Sequence, residues 1–195
     1  INLAAALGKE GKKTLLIDLD PQGNASTGLG YANGEFKFDI YDILTGNCTT
    51  TEGIIKTKFK NLSIIPSTIN LAGVDVEFVK NMLENPEFRQ NEQLRNALAE
   101  VADKYDYIII DCQPSLGICT MNALVASNSV IIPVQCEYYA LEGLGQLINT
   151  INLVKKHLNK ALEIEGAVLT MYDMRTNLSN QVVKEYLKVD IDTLD

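Results

Sequence analysis

The feature that most constrains the fold is a series of short apolar runs, each of strand length, that recurs along the chain. The runs are rich in Ile, Leu and Val and do not alternate with polar residues, which is typical of strands buried on both faces of a parallel sheet. They are Thr14–Leu19, Leu62–Ile65, Tyr107–Ile110, Val130–Val134 and Ala167–Thr170.

Segments with helical periodicity lie between these runs. Leu141–Leu158 places its apolar residues on one stripe, and Leu94–Ala102 does so more weakly. Alternating strands and helices predict an α/β fold with a doubly wound, mostly parallel sheet and helices on both of its faces. Because the 195 residues contain no linker or repeat, we expect one domain spanning residues 1–195.

The composition excludes several classes of protein. A formal net charge of −8 gives no global attraction to nucleic acid or anionic lipid. The sequence has no apolar stretch long enough for a transmembrane helix and no visible signal peptide, so we expect a cytoplasmic protein without a membrane partner. The four cysteines lack the spacing of a metal site and are predicted to be reduced core residues: Cys48, Cys112, Cys119 and Cys136.

Two aspartates follow the first apolar run, in the segment TLLIDLDPQGNAS. Asp18 and Asp20 are two residues apart and can face the same spot, at the end of a strand where open α/β sheets bind their ligands. Two carboxylates about 4 Å apart repel by about 4 kcal/mol at an effective dielectric of about 20. A divalent cation or protonation would relieve this repulsion, and the Pro-Gln-Gly-Asn turn then leads the chain away.

A third aspartate ends another apolar run, in YDYIIID. Asp111 has the pattern of a Walker B aspartate, which holds Mg²⁺ next to a nucleotide phosphate. The following CQPSLG segment contains Pro114 and Gly117, which mark a turn that could sense a γ-phosphate. Taken singly, each of these aspartate segments could also be a strand that simply ends at a polar turn residue. The presence of two such segments in one α/β chain favours metal and phosphate chemistry.

Six blocks in order resemble the ParA/Soj partition ATPases, a deviant Walker A P-loop group within the MinD/ParA superfamily. The blocks are NLAAAL, GKKTLLIDLDPQGNASTGLG, NLSIIPSTINLAG, YDYIIIDCQPSLG, VIIPVQCEYYALEGL and LTMYDMRTNLS. The resemblance implies a P-loop NTPase-like fold and an ATPase of chromosome or plasmid partitioning that uses Mg²⁺. It also implies an ATP-dependent sandwich homodimer, a ParB-like partner, and binding of non-specific DNA with association to the nucleoid.

The resemblance also implies roles for individual residues. Asp20 would be catalytic and would orient the attacking water, while Asp18 and Asp111 would serve the metal through water. The second switch would comprise Gln113, Pro114, Ser115, Leu116 and Gly117, although the family commonly has proline at the first of these positions. Thr170 and Met171 would lie near the nucleotide, and Arg175 would contact DNA or the other subunit.

Parts of the family pattern are not found in these residues. The K-G-G-V-G-K-T loop that cradles the phosphates before the NLAAAL helix is absent from residues 1–195, as is a later I-P-R-N-type segment. We therefore expect a chain that is incomplete at both ends, lacks the N-terminal strand and P-loop, and binds ATP weakly by itself. Two alternatives stay open: a non-catalytic scaffold or dimerisation fragment of the same fold, and a MinD-like ATPase.

Overall fold

The computed structural model describes residues 1–32, 35–135, 140–171 and 175, with the backbone alone described for residues 140–142. The chain forms two compact units, Ile1–Ala126 and Ser127–Asp195. The single domain predicted over residues 1–195 stays a prediction. Cys136, which the sequence predicts to be a core residue, lies outside the described residues. The helices of the first unit are α1 (Asn2–Lys9), α2 (Asn24–Gly28), α3 (Ile40–Leu44), α4 (Thr50–Gly53), α5 (Val74–Glu84), α6 (Gln93–Leu98) and α7 (Ile118–Ala126).

A four-stranded sheet forms the centre of the first unit. Its strands are β1 (Thr14–Leu19), β2 (Ile55–Lys56), β3 (Leu62–Ile65) and β4 (Tyr107–Cys112), in the order β2-β3-β1-β4. Strands β3 and β4 both run parallel to β1, and only the two-residue β2 is antiparallel to its neighbour. The predicted mostly parallel α/β sheet is confirmed.

Apolar side chains of β1 alternate between two buried clusters on opposite faces of this sheet. Leu15, Ile17 and Leu19 join residues of α3, α5, α6 and α7 in the larger cluster. Leu16 joins Ala4 of α1 and Ala25 of α2 in the smaller cluster. Helices therefore cover both faces, as the doubly wound prediction requires.

The second unit contains β5 (Ser129–Gln135), α8 (Ala140–His157) and β6 (Glu163–Thr170). The two strands pair in parallel, with Ser129 opposite Glu163 and Gln135 opposite Thr170. Helix α8 buries the stripe that the periodicity predicts, including Leu144, Ile148, Ile151 and Val154. The unit thus has a strand–helix–strand arrangement of the kind that parallel pairing requires.

Two sequence expectations need correction. Strand β1 is buried over its whole length, but β4, β5 and β6 expose several side chains. The reason is that, in the described residues, β4 pairs with β1 alone, and β5 and β6 pair with each other alone. The weaker helical segment Leu94–Ala102 is helical to Leu98 and continues as a short 3₁₀ turn from Ala102. Within the described helices, none has the length and apolar character needed to cross a bilayer.

Candidate functional site

Two carboxylates lie side by side at the carboxyl ends of β1 and β4. Asp18 is opposite Asp111 in the parallel register, and neighbouring strands are about 4.8 Å apart. Leu16 and Ile109, two residues earlier on each strand, pack in the cluster on the α1 and α2 face. Since strand residues two apart share a face, both carboxylates lie on that face of the sheet. With Asp20, they form what we call the carboxylate rim.

Asp18 is the most buried member of the carboxylate rim, with 1% of its surface exposed. Its Oδ2 accepts hydrogen bonds from the backbone N–H of Ser26 (2.8 Å) and the hydroxyl of Ser26 (2.7 Å), and its Oδ1 accepts from the Asp20 N–H (3.3 Å). Burial raises the pKa of Asp18 above its usual 3.8; the hydrogen bonds from Ser26 and Asp20 oppose this, and the charge of Asp111 adds to the increase. Asp18 thus joins β1 to the first turn of α2.

Asp20 begins the tight turn that follows β1. Its backbone carbonyl accepts from the Gly23 N–H (2.9 Å), and its Oδ1 accepts from the Gln22 N–H (2.9 Å). Gly23 has a positive φ of 62°, and a Cβ there would lie 2.9 Å from the backbone oxygen of Ser67, so this position suits glycine. Asp20 is half-buried, and its Oδ2 has no hydrogen-bond partner in the described residues.

Asp111 differs from Asp18 in its surroundings. Its side chain is exposed, and within residues 1–32 and 35–135 its carboxylate accepts no hydrogen bond. Within the carboxylate rim, Asp18 therefore has both carboxylate oxygens engaged in hydrogen bonds. Asp20 and Asp111 keep carboxylate oxygens available to a ligand.

The predicted switch forms the loop between β4 and α7. Gln113 and Gly117 are half-buried, whereas Pro114, Ser115 and Leu116 are exposed. The Thr120 hydroxyl donates to the Ser115 carbonyl at 2.6 Å, so the first turns of α7 fix the middle of the loop. Because the loop directly follows Asp111, it begins at the carboxylate rim.

The remaining predicted residues belong to the second unit. The Thr170 hydroxyl donates to the carbonyl of Val134 at 3.3 Å, across the β5–β6 pair. Met171 follows β6 with a positive φ of 54° and 76% of its surface exposed, and Arg175 is also exposed. Their proposed contacts with nucleotide, DNA or a second subunit stay predictions.

Sequence reasoning missed two serines that support the rim. The Ser67 N–H, just beyond β3, donates to the Ser26 hydroxyl at 3.0 Å, and Ser26 in turn donates to Asp18. The Ser67 hydroxyl is buried and has no hydrogen-bond partner among the described residues. The sequence separation of 41 between the two serines explains why no local pattern indicated the contact.

The described residues contain no group of three or more His, Cys, Asp or Glu side chains that could hold a metal ion. The rim therefore offers a pair of neighbouring carboxylates and not a complete protein cage. Mg²⁺ commonly keeps several waters and uses one or two carboxylates together with substrate phosphates, so the residues present fit that mode of binding.

Comparison with known proteins decides the family. A family model described as an AAA domain matches residues 1–164. The chain is 53% identical over 188 residues to the sporulation initiation inhibitor protein Soj of Bacillus subtilis (strain 168), covering 96% of this chain and 72% of that protein. The chain belongs to the ParA/Soj family of partition ATPases. Another member, the chromosome-partitioning ATPase Soj of Treponema pallidum (strain Nichols), is 50% identical over 185 residues, which are 95% of this chain and 70% of that protein.

A solved structure extends the comparison of this ParA/Soj chain to a bound nucleotide. Cobyrinic acid a,c-diamide synthase from Mycobacterium smegmatis, crystallised with an ATP analogue and magnesium, superposes with a TM-score of 0.88 at 34% identity. The match covers 96% of this chain and 72% of that protein. These relatives confirm the P-loop NTPase-like fold and the partition family, and they favour neither a scaffold fragment nor a MinD-like ATPase.

Proposed function

We propose that the protein, as its gene encodes it, binds ATP with Mg²⁺ at the carboxylate rim and hydrolyses ATP to drive chromosome or plasmid partitioning. The observation that carries the proposal is the parallel register that places Asp18 opposite Asp111. Two neighbouring carboxylates at the carboxyl end of a parallel sheet repel each other unless a cation or proton is present, and this is where open α/β sheets bind ligands. The nucleotide and magnesium bound by the M. smegmatis relative support the same assignment.

Asp111 would be the principal carboxylate for Mg²⁺, through water. Its exposed side chain accepts no hydrogen bond from the described residues, so it can accept them from metal-bound waters. Asp18 would act on the same network of waters while it holds α2 through Ser26. The ion, when bound, would offset the negative charge of the triphosphate.

Asp20 would orient and polarise the water that attacks the γ-phosphorus. Its Oδ1 is fixed by the Gln22 N–H, which leaves Oδ2 to accept a hydrogen bond from that water. The new bond forms between the water oxygen and phosphorus, the bond to the leaving ADP oxygen breaks, and a proton of the water is released to solvent, so that the products are ADP, inorganic phosphate and a proton. Because the Asp20 carboxylate is already held by the Gln22 N–H, it can orient the attacking water without a large movement of the turn that follows β1.

The loop 113–117 would respond to the γ-phosphate. It begins two residues after Asp111 and is anchored to α7 by the hydrogen bond between Thr120 and Ser115, so a displacement at the rim would be transmitted to α7. Thr170 and Met171 would lie near the nucleotide, since Thr170 ends β6 at its carboxyl end and Met171 directly follows it.

The partners proposed for the active protein are a second copy of the chain, a ParB-like protein and non-specific DNA. The ATP-bound form would be a homodimer associated with the nucleoid in the cytoplasm. Arg175 is proposed to contact DNA or the second subunit, because it is exposed and positively charged.

The decisive experiment compares Asp20→Ala with the parent in the protein as its gene encodes it. We expect the variant to bind Mg-ATP with a dissociation constant within about threefold of the parent, because Asp20 acts on water and not on the phosphates. Its turnover should fall by about 10²-fold or more. Isothermal titration calorimetry measures the first quantity and phosphate release the second.

Asp103→Ala is the matched control, because Asp103 is an exposed aspartate of the same unit that lies outside the rim. It should leave both binding and turnover unchanged. Equal turnover in Asp20→Ala and the parent would remove the proposed role of Asp20, and a parent that binds no Mg-ATP would contradict the proposed function itself.

A further inference from the structure

Helix α5 carries apolar side chains on two of its sides. Val74 and Phe78 are buried and pack in the larger cluster of the first unit. Val76, Val79 and Leu83 are three and four residues apart, so they share a different side of the helix, nearly opposite to the buried one. A helix on the surface of a domain normally has polar or charged residues on its outer side. The packing of the first unit therefore does not explain these three residues.

The three residues, which we call the outer stripe, are strongly exposed. The exposed fraction is 72% for Val76, 55% for Val79 and 82% for Leu83. Met82, on the same helix, is also exposed, and so is Ile69 in the 3₁₀ turn that leads into α5. Single exposed aliphatic side chains are common on protein surfaces, whereas a contiguous group of them marks a site of protein interaction.

The packing of the inner side of α5 fixes the direction in which the outer stripe points. The rings of Phe78 and Phe88 meet edge to face, with 5.5 Å between their centres. Val74 and Phe78 also join side chains of β1, α3, α6 and α7 in the larger cluster. Rotating α5 to bury the outer stripe would expose Phe78 and break these contacts. The stripe can therefore be buried only when another segment packs on it.

Acidic side chains border the outer stripe. Helix α5 contains three acidic residues and one lysine, a local formal charge of −2: Asp75, Glu77, Lys80 and Glu84. The Lys80 ammonium lies 3.9 Å from the Glu77 carboxylate, which offsets that pair. Within residues 1–32 and 35–135, no lysine or arginine forms an ion pair with Asp75 or Glu84. The border of the stripe thus presents negative charge to the segment that covers it.

We propose that the outer stripe binds an amphipathic helix of a partner protein, with an aliphatic seam flanked by lysine or arginine residues. The spacing of three and four residues is that of the a and d positions through which two helices pack together. Basic residues beside the partner's seam would lie near Asp75 and Glu84. A second copy of this chain fits less well, because it would bring the same acidic border against the first. Three aliphatic residues form a small interface, so we expect a transient complex.

The outer stripe lies apart from the carboxylate rim. Helix α5 packs on the face of the sheet that carries the larger cluster, whereas Asp18 and Asp111 lie on the α1 and α2 face. The proposal therefore does not depend on the ATPase proposed above. Binding of a helix and binding of a nucleotide can be measured separately.

The test uses the protein as its gene encodes it and two fluorescent peptides of three heptads, both with Ile at a and Leu at d. One peptide has Lys at positions e and g, and the other has Glu there. Fluorescence anisotropy without nucleotide should give a dissociation constant of about 1–100 μM for the lysine peptide. The glutamate peptide should bind at least about tenfold more weakly.

Two double variants test the apolar and the acidic part of the surface. Val79→Gln with Leu83→Gln should weaken binding of the lysine peptide at least about tenfold, because the seam loses its apolar partners. Asp75→Asn with Glu84→Gln should weaken it by about twofold to tenfold, since exposed ion pairs contribute little each. Circular dichroism checks that every variant is folded.

The matched control is Leu3→Gln with Leu153→Gln, which removes two exposed leucines from α1 and α8. It should bind the lysine peptide like the parent. Equal binding of the two peptides, equal weakening by the stripe and control variants, or a parent that binds neither peptide would each overturn the proposal. Self-association of the parent in sedimentation without nucleotide, lost in Val79→Gln with Leu83→Gln, would assign the stripe to a second copy and overturn it too.

The affinity for Mg-ATP and the turnover are measured on the same preparations. A stripe that fails these tests while Asp20→Ala still loses turnover leaves the proposed ATPase standing. Binding of the lysine peptide that depends on Val79 and Leu83 in a protein without ATPase activity would support the stripe and contradict the ATPase.

Discussion

At the scale of single residues, the carboxylate rim depends on a chain of hydrogen bonds through Ser26. The sequence predicted the aspartates, because apolar runs that end in acids are visible locally. It could not predict Ser26 or Ser67, because the contact joins α2 to the segment just beyond β3, at a sequence separation of 41. Nor did it distinguish the buried Asp18, which has three hydrogen bonds, from the exposed Asp111.

Replacing Ser26 with alanine should destabilise the folded chain by about 1–3 kcal/mol. The change removes one hydrogen bond to the buried Asp18 carboxylate and leaves the buried Ser67 N–H without its acceptor. Urea unfolding followed by circular dichroism measures the loss. Thr27→Ala is the control, since Thr27 lies on the same helix but is exposed; similar free energies of unfolding for the two variants would argue against a stabilising role for the Ser26 hydroxyl.

At the scale of elements, the apolar runs predicted the parallel strands well. The bounds of β1 and β3 coincide with the predicted runs, whereas β4, β5 and β6 extend one to four residues further. The sequence did not predict β2, because a two-residue antiparallel strand contains too few side chains to form a pattern. Helix α6 ends before its apolar stripe does, because the chain turns at residues 99–101 into a 3₁₀ segment.

The close approach of α1 to the β2–β3 connection can be tested at Gly8. In a helix, Gly→Ala usually stabilises by about 0.5–1 kcal/mol. Here the added Cβ would lie 2.4 Å from the Lys60 carbonyl oxygen, a backbone atom that cannot move by side-chain rotation alone. We therefore expect Gly8→Ala to lower the free energy of unfolding by about 1–3 kcal/mol, as measured by urea unfolding.

Gly73→Ala supplies the comparison for that experiment. No atom lies within 4 Å of a Cβ built at Gly73, and its φ of −89° is open to alanine. The change should be neutral or stabilising by up to about 1 kcal/mol. A Gly8→Ala variant as stable as Gly73→Ala would show that α1 and the β2–β3 connection can separate without cost.

At the scale of the whole molecule, the family blocks predicted more than the composition did. A net charge of −8 indicated no global attraction to nucleic acid, but averaging over the chain hides two lysine-rich segments, residues 9–13 and 56–60, that the fold brings together. The division of the chain into two compact units was also not predicted, because no linker-like composition marks the boundary between Ala126 and Ser127.

The first unit should fold by itself when residues 1–126 are expressed alone. The four-stranded sheet and the two clusters of buried residues on its faces lie entirely within this range, and 126 residues exceed the size at which single domains usually need disulfides or metals. We expect cooperative urea unfolding with coincident circular dichroism and fluorescence transitions.

Leu15→Ala, at a fully buried position of β1, should lower the free energy of unfolding by about 2–5 kcal/mol, whereas Val79→Ala, 55% exposed on α5, should change it little. A broad, non-cooperative transition, or equal effects of the two substitutions, would mean that the core of residues 1–126 is not formed without the rest of the chain.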